Sequence, residues 1–288
     1  MHNYANDGIT RRTLLGAVAA TLAAATTTAT AAVRDPYGPF KVGIQSYTLR
    51  HFTLDDALDI TANLGIHYWE AFPAHLPITT DKQILLGYHK KLADHHVKLE
   101  AYGVVGFSND EADARRTFDF ARAMQIPVLS ASPSPDSFAL LDKLTHEYNV
   151  RVAIHNHGPG DNLYAHPQQT LTAIAGHSKM IGECEDTGHM IRSGEDPVAA
   201  ARLFGHRLYD VHIKAARKDK AGDIVWTVNG DPRSLLNTQA FLQTLLDLHY
   251  SRLIALEYED HETDPVPYMK QCFTAIQQAI IAIQKAAR

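Results

Sequence analysis

The sequence has few cysteines and no large concentration of positive charge, and each absence excludes a class of protein. Only two cysteines occur among 288 residues, Cys184 and Cys272, and neither has a partner at zinc-site spacing. No sequence feature supports a disulfide between them. The formal net charge is −5, and no cluster of lysine and arginine is larger than the one at residues 217–220. We therefore expect no nucleic acid among the partners.

The motifs of several large enzyme classes are also missing. The chain contains no Gly-rich Walker loop, no G-x-G-x-x-G fingerprint, no G-x-S-x-G elbow and no H-E-x-x-H helix. Nucleotide-dependent enzymes, serine hydrolases and zincin metalloproteases are therefore disfavoured. No low-complexity linker divides the chain after its N-terminal segment, and 288 residues leave no room for a second sizeable domain.

Residues 1–31 are predicted to form a twin-arginine-type signal peptide. Arg11 and Arg12 precede a stretch rich in alanine, leucine and valine, and residues 29–31 fit a small-residue cleavage site. This apolar stretch is too short for a stable membrane span, which needs about 20 strongly apolar residues. We therefore expect a periplasmic or secreted protein without a stable membrane anchor, with its mature domain at residues 37–288.

After Pro36 the chain alternates strand-like and helix-like segments. The eight predicted strands are short apolar runs at residues 42–47, 68–72, 98–105, 128–132, 151–154, 180–184, 208–211 and 253–256. The eight predicted helices carry apolar residues at helical spacing, at 53–63, 84–96, 110–124, 137–148, 167–176, 197–204, 235–248 and 267–286. Strict alternation of this kind predicts the α/β class and a single (β/α)8 TIM barrel.

Polar side chains follow four of these strands at the point where each strand ends. They are His155, Asp186, His212 and Glu257. The carboxyl ends of barrel strands meet at one mouth, so these side chains are predicted to converge. Two imidazoles and two carboxylates in one buried place need a cation, and we predict a divalent-metal site. A long loop at residues 219–231 is predicted to form a lid or a substrate wall at the same mouth.

Four short motifs carry a family resemblance. They are Ile-His-Asn-His-Gly ending at Gly158, Asp-Thr-Gly-His ending at His189, Val-His-Ile-Lys ending at Lys214, and Leu-Glu-Tyr-Glu ending at Glu259. Together they resemble the xylose-isomerase-like TIM-barrel superfamily of sugar phosphate isomerases and epimerases, over essentially all of the mature chain. The resemblance implies a metal bound by a glutamate on the fifth strand and by Asp186, His212 and Glu257. The fifth-strand position is His155 here, so the paired glutamates that relay protons in the epimerases are lost.

The remaining predicted roles follow from position and from the resemblance. Two nitrogens and two carboxylates suit Mn²⁺, Co²⁺, Fe²⁺ or Zn²⁺ better than Mg²⁺. Glu257, Lys214 and His155 are the predicted catalytic residues, and desolvation beside a cation is expected to lower the pKa of Lys214. The predicted substrate-binding residues are Glu70, His75, His157 and His189. Further residues considered for the sugar pocket are Tyr47, Trp69 and Tyr102. Glu259, two residues past Glu257, is predicted to hydrogen-bond a residue that supports the metal ligands.

Three functions remain open on the sequence. The first is a metal-dependent isomerase or epimerase of an unphosphorylated sugar, in which Glu257 moves a proton beside a polarised carbonyl. The second is a lyase or hydratase of 3-keto-glycosides, which the loss of the paired glutamates favours. The third is a non-catalytic sugar-binding protein. An apurinic-site endonuclease is disfavoured, because the loop at residues 219–231, which follows the seventh strand, contains no Asp-x-His pair. A small sugar is the expected partner, and a homo-oligomer is compatible with the sequence.

Overall fold

The computed structural model describes residues 36–286, and the predicted signal peptide lies outside them. Eight parallel strands form a closed barrel, in the order β1-β10-β7-β6-β5-β4-β3-β2. These strands are β1 (Lys41–Gln45), β2 (Tyr68–Ala71), β3 (Lys98–Phe107), β4 (Val128–Pro133), β5 (Arg151–His155), β6 (Ile181–Asp186), β7 (Leu208–Ile213) and β10 (Leu253–Leu256). The prediction of a single (β/α)8 barrel is confirmed.

Helices surround the barrel on the outside. They are α1 (Leu54–Asn63), α2 (Lys82–Asp94), α3 (Glu111–Ala123), α4 (Phe138–Tyr148), α5 (Pro167–Ala173), α6 (Thr187–Arg192), α7 (Pro197–Phe204), α8 (Thr238–Asp247) and α9 (Val266–Ala286). Short 3-10 turns span Ser46–Leu49, Pro135–Ser137 and Gly205–Arg207. Side-chain oxygens of Thr53, Asp81, Asp110 and Asp196 accept hydrogen bonds from the first turns of four of these helices. Such caps explain where the helices begin.

The strands are buried on both faces, which is why their sequences are nearly continuous apolar runs. Every residue of β6, β7 and β10 is buried. Their register brings Asp186 level with His212, and His212 level with Ala255, the residue two before Glu257. The polar residues at the ends of these neighbouring strands therefore lie at the same level along the barrel axis.

The segment between β7 and α8 was predicted to contain a long loop, but it is more regular than that. Part of it forms an antiparallel hairpin of β8 (Ala215–Lys218) and β9 (Ile224–Thr227). The carboxylate of Asp219 closes the hairpin turn by accepting hydrogen bonds from the backbone N–H groups of Ala221 and Asp223, at 2.8 and 2.9 Å. Strands of four residues are too short for their alternation to be distinguished from a loop in the sequence.

Both cysteines are buried and neither forms a disulfide. Among residues 36–286, no helix combines the length and the apolar character that crossing a membrane requires. The short helix α6 was absent from the sequence prediction. It begins directly after β6, because Asp186 ends the strand and its Oδ1 accepts a hydrogen bond from the backbone N–H of His189, 2.8 Å away.

Candidate active site

The four predicted metal ligands meet at the mouth of the barrel. His155 ends β5, Asp186 ends β6, His212 lies within β7, and Glu257 directly follows β10. One ligand atom from each lies within 4.8 Å of one atom from every other, and all four residues are buried. The structure thus brings together the complete predicted set.

The distances within this group are those of a coordination site. His212 Nδ1 lies 3.0 Å from His155 Nε2, 3.1 Å from Glu257 Oε2 and 3.9 Å from Asp186 Oδ2. His155 Nε2 lies 3.7 Å from Asp186 Oδ2. Ligand atoms about 2.1 Å from a common ion stand roughly 3.0 to 3.4 Å apart in octahedral or tetrahedral geometry. Small movements of the carboxylate oxygens would therefore bring all four ligand atoms to the spacing of a metal coordination sphere.

The donor set also fits a divalent ion on chemical grounds. The buried oxygens Asp186 Oδ2 and Glu257 Oε2 share one ammonium group, Lys214 Nζ, which lies 2.8 Å from each. Two carboxylates at this depth exceed the charge of one ammonium group, so a further cation beside them is favourable. Two imidazole nitrogens with two carboxylate oxygens match manganese, iron, cobalt or zinc. The residues present therefore fit the metal that the sequence motifs imply.

The charges of these residues are strongly interdependent. Burial lowers the pKa of His155 to about 3, so this imidazole is neutral and free to bind a cation. Burial lowers the pKa of His212 too, but Cys184, Glu70 and Glu257 outweigh it and raise that pKa well above its usual range. Burial raises the pKa of Glu257, whereas Lys214 and His212 bring it down to about 2. The cluster is held together by opposite charges.

Lys214 lies at the edge of the ligand group. Its Nζ is 2.8 Å from both Asp186 Oδ2 and Glu257 Oε2, and it also forms an ion pair with Glu259. The predicted lowering of the pKa of Lys214 is wrong for this arrangement. Burial does lower the pKa, but Asp186, Glu257 and Glu259 raise it above the ordinary lysine value. The side chain is a fixed positive charge beside the ligands.

Glu70 and His75 do not line the mouth, contrary to the prediction. Glu70 is fully buried and its Oε2 accepts a hydrogen bond from His212 Nε2 over 2.6 Å. This bond turns His212 Nδ1 towards the ligand group. His75 uses both ring nitrogens, at 2.9 Å from Ser46 Oγ and 3.2 Å from the carbonyl oxygen of Phe52. Glu70 and His75 are thus supports that lie behind the cavity lining.

A cavity of about 400 Å³ opens above the ligand group. Its lining comprises Gln45, Tyr47, Phe72, Gly103, Val104, His155, His157, His189, Glu257 and Glu259. Of the predicted pocket residues, His157, His189 and Tyr47 therefore face it. Glu259, which was predicted only as a support of the metal ligands, lines the cavity as well. Trp69 and Tyr102 are instead fully buried in the core, where Trp69 Nε1 donates to Thr61 Oγ1 and Tyr102 Oη donates to the carbonyl of Leu76.

His189 is held by its neighbours in one orientation. Its Nδ1 lies 3.3 Å from Arg192 Nη1, and its Nε2 lies 4.0 Å from Glu259 Oε1. Because the guanidinium is always a donor, Nδ1 accepts and Nε2 carries the proton. The ring packs edge-on against Trp226 from the hairpin, with 5.3 Å between centroids. Burial lowers the pKa of His189 to about 4, so the imidazole is neutral and presents an N–H donor.

Sequence reasoning missed several contributors to this site. Gln45, Phe72, Gly103 and Val104 line the cavity from β1, the end of β2 and β3. Trp226 contacts the mouth from β9, and its ring centroid lies 5.0 Å from Lys214 Nζ. Gln45, a polar residue that ends an apolar strand, was the one member of this group that the sequence could have indicated. Apolar residues and glycines at strand ends are also common in protein cores, so they do not indicate a site.

Comparisons with known proteins agree with this geometry. Residues 58–278 match the family described as xylose isomerase-like TIM barrel. An inosose dehydratase from Clostridium tetani is 34% identical over 87 residues, which span 27% of this chain and only 26% of that enzyme's length. The similarity thus covers about a quarter of that relative.

Two solved structures share the fold. A protein of unknown function from Parabacteroides distasonis is 26% identical, with a TM-score of 0.65 over 84% of this chain and 99% of that one. The D-psicose 3-epimerase from Clostridium cellulolyticum is 13% identical, with a TM-score of 0.62 over 86% of this chain and 98% of that one. At that identity the epimerase shows the fold alone.

Proposed function

Because the chain belongs to the xylose isomerase-like TIM barrel family, we propose that it is a divalent-metal-dependent lyase of the dehydratase type. It removes a proton from the carbon next to a ketone and expels an oxygen substituent from the adjacent carbon. The substrate class is an unphosphorylated cyclic polyhydroxy ketone, either a 3-keto-glycoside or an inosose-like ketone. The partial match to an inosose dehydratase supports the dehydratase type.

The observation that carries the proposal is the division of the mouth into two chemical sides. The carboxylates of the lining, Glu257 and Glu259, both follow β10. The imidazoles of the lining are His155, which ends β5, His157, which follows β5, and His189, which lies on α6. Epimerisation by paired carboxylates needs one on each face of the substrate. Elimination needs one base and one acid on different atoms, which is what a carboxylate side and an imidazole side provide.

Each residue then has a distinct role. His155, Asp186, His212 and Glu257 would hold a divalent ion, which when bound would polarise the ketone oxygen. The carboxylate of Glu257 accepts the proton, and the C–H bonding pair forms the new double bond as the C–O bond of the leaving group breaks. His157, the most exposed imidazole of the lining, protonates the leaving oxygen. Lys214 keeps Glu257 ionised at 2.8 Å.

The lining also supports an unphosphorylated substrate. No lysine or arginine is among the cavity residues of the part of the chain that the structure describes, and two of those residues are carboxylates. A phosphate group is normally bound by arginine, lysine or a helix N-terminus. Tyr47 and Phe72 supply apolar ring surfaces, at 4.9 Å from one another, on which a sugar-like ring can pack.

Isomerisation of an unphosphorylated sugar is the second candidate. A single carboxylate on one face can remove a proton and return it to the neighbouring carbon, and Glu257 is placed for this as well. The two reactions share their first step, so they differ only in the fate of the leaving group.

Proton NMR in D₂O separates these candidates. The purified protein is first loaded with Mn²⁺, Co²⁺ or Zn²⁺, and then incubated with 3-keto-glucosides, inosose-type ketones and free ketoses. An unsaturated ketone together with a released aglycone or hydroxyl supports the lyase. Deuterium incorporation with no elimination identifies an isomerase. A metal-loaded protein that binds these sugars without exchanging any proton refutes both proposals and supports a binding protein.

We also propose that the protein is exported by the twin-arginine route, as residues 1–31 predict. Lysine in place of both Arg11 and Arg12 should stop export, because the paired arginines form the export signal. Activity in vitro should not change, since the barrel residues are untouched. Normal periplasmic accumulation of the double variant would contradict this localisation.

A further inference from the structure

A second group of ligand-type side chains lies inside the barrel, away from the cavity. It consists of Glu70, Cys184, Asp210 and His212, and one ligand atom from each lies within 4.8 Å of one atom from every other. All four residues are fully buried. None of them lines the mouth cavity. This inner cluster is therefore separate from the substrate pocket, although it shares His212 with the ligands at the mouth.

His212 is placed to serve both groups because its two ring nitrogens face different neighbours. Nδ1 lies 3.1 Å from Glu257 Oε2 at the mouth. Nε2 lies 2.6 Å from Glu70 Oε2 in the inner cluster. An imidazolate can bind one cation through each nitrogen, so the ring would connect two sites once the Nε2 proton, which is donated to Glu70 here, has left to solvent.

The inner cluster contains buried carboxyl oxygens that no N–H group reaches. Glu70 Oε1 and Asp210 Oδ2 accept no hydrogen bond from an N–H donor, the two carboxyls lie within hydrogen-bonding reach of one another, and both residues are inaccessible to solvent. The other oxygen of Asp210 accepts a hydrogen bond from the backbone N–H of Val211, 2.9 Å away. Among the described residues, His212 is the one basic side chain that pairs with Glu70, and Asp210 pairs with none. Two carboxyls and a thiol that share a single imidazole as their basic partner are costly to bury.

We propose that Glu70, Cys184, Asp210 and His212 form a second, inner metal site that takes Zn²⁺ or another thiophilic divalent ion. One sulfur, one nitrogen and two oxygens make four ligands, the number that structural zinc sites use. The mutual spacing below 4.8 Å accommodates zinc–ligand bonds of about 2.0 to 2.3 Å. The thiolate distinguishes this site from the mouth, which offers nitrogen and oxygen only.

This inference does not depend on the proposed reaction, because the inner cluster does not contact the cavity. Its alternative is a cluster neutralised by protons, in which the two carboxyls share a proton and Cys184 remains a thiol. The two arrangements differ in metal content and in sulfur–metal bonding, and neither measurement requires a substrate.

The test uses the full chain expressed in zinc-supplemented medium, purified and analysed for metal. The wild-type protein is expected to hold about two zinc ions per chain, and Cys184→Ser about one, because the mouth ligands remain. Cys272→Ser is the matched control, since Cys272 is equally buried but lies on α9, where its Sγ accepts a hydrogen bond from the backbone N–H of Asn229. That variant is expected to keep about two ions.

Cobalt substitution provides the second readout. Co²⁺ bound to a thiolate gives a charge-transfer band in the near ultraviolet, and we expect this band in the wild type and in Cys272→Ser but not in Cys184→Ser. A wild-type protein with one ion per chain and no such band overturns the inner site. The wild-type spectrum decides the question even if Cys184→Ser does not fold, and a protein without turnover could still show the band.

Discussion

Glu70 Oε2 and His212 Nε2 lie 2.6 Å apart, and neither side chain reaches solvent. The two residues are 142 positions apart in the sequence. A carboxylate bonded to one nitrogen of an imidazole fixes the ring and directs the other nitrogen to its ligand. His212 therefore presents Nδ1 to the mouth because Glu70 holds it from behind.

Glu70→Gln should weaken Mn²⁺ binding at the mouth about 10- to 100-fold, because the amide orients His212 less firmly than a carboxylate. Mn²⁺ titration followed by electron paramagnetic resonance measures this affinity, and manganese has little preference for the inner thiol. Glu100→Gln is the control, since Glu100 is also buried but pairs with Lys41 and Lys98. Equal affinities for wild type and Glu70→Gln would show that Glu70 does not position the ligand.

Substitutions of Asp186 should separate its two roles. Asp186→Ala and Asp186→Asn both remove the anionic ligand, so each should lose the mouth metal and turnover. Only alanine also removes the oxygen that accepts the hydrogen bond from the His189 N–H at the start of α6. Asp186→Ala should therefore unfold about 1 kcal/mol more easily than Asp186→Asn. Metal analysis and denaturant titration check both parts, and retained activity in either variant would exclude Asp186 as a ligand.

His155→Glu should keep the metal and lower turnover. A carboxylate is a competent ligand, but it adds negative charge beside an ion that already faces Asp186 and Glu257, so the ion becomes a weaker Lewis acid. We expect a fall in kcat of at least about tenfold with metal content unchanged. Full activity of this variant would favour a symmetric two-carboxylate mechanism instead.

Lys214→Met should reduce kcat strongly while the mouth binds Mn²⁺ at least as tightly as before. The substitution removes a positive charge 2.8 Å from two ligand oxygens, and repulsion between that charge and the ion disappears. We expect an affinity gain on the order of tenfold, or about 1.4 kcal/mol. The exposed Lys218→Met serves as control and should change neither quantity. Loss of metal in Lys214→Met would mean that the lysine supports the ligands rather than competing with the ion.

Glu183→Gln should stabilise the barrel increasingly as pH rises. Burial raises the pKa of Glu183 well above its usual value of 4.5, with Glu185 adding to the effect. Between 4.5 and the folded-state pKa, the folded protein holds a proton that the unfolded chain releases, so stability falls as pH increases. Glutamine does not titrate and avoids this loss. Denaturant midpoints at pH 5 and pH 8 measure it, and an equal difference between variant and wild type at both pH values would contradict the shifted pKa.

The sequence alone determined the number and order of the barrel strands and the four residues that meet at the mouth. Strand and helix periodicities are local properties, and parallel strands in a barrel must end on one side, so His155, Asp186, His212 and Glu257 could be placed together without coordinates. The same alignment of strand ends showed that His155 occupies the position where the resembled epimerases have a glutamate.

The tertiary structure decided which side chains face the cavity, which ones support the ligands, and which charges surround each of them. The side chain of Glu70 could face either the cavity or the ring of His212. The orientation of β2 against strands far away in the sequence decides between the two. The charged surroundings of Lys214 come from three carboxylates on two other strand ends, so its pKa moves opposite to the effect of burial alone. Cys184 and Asp210 point inward on adjacent strands with a shifted register. Such relationships arise from long-range packing and register, and local sequence patterns carry no information about them.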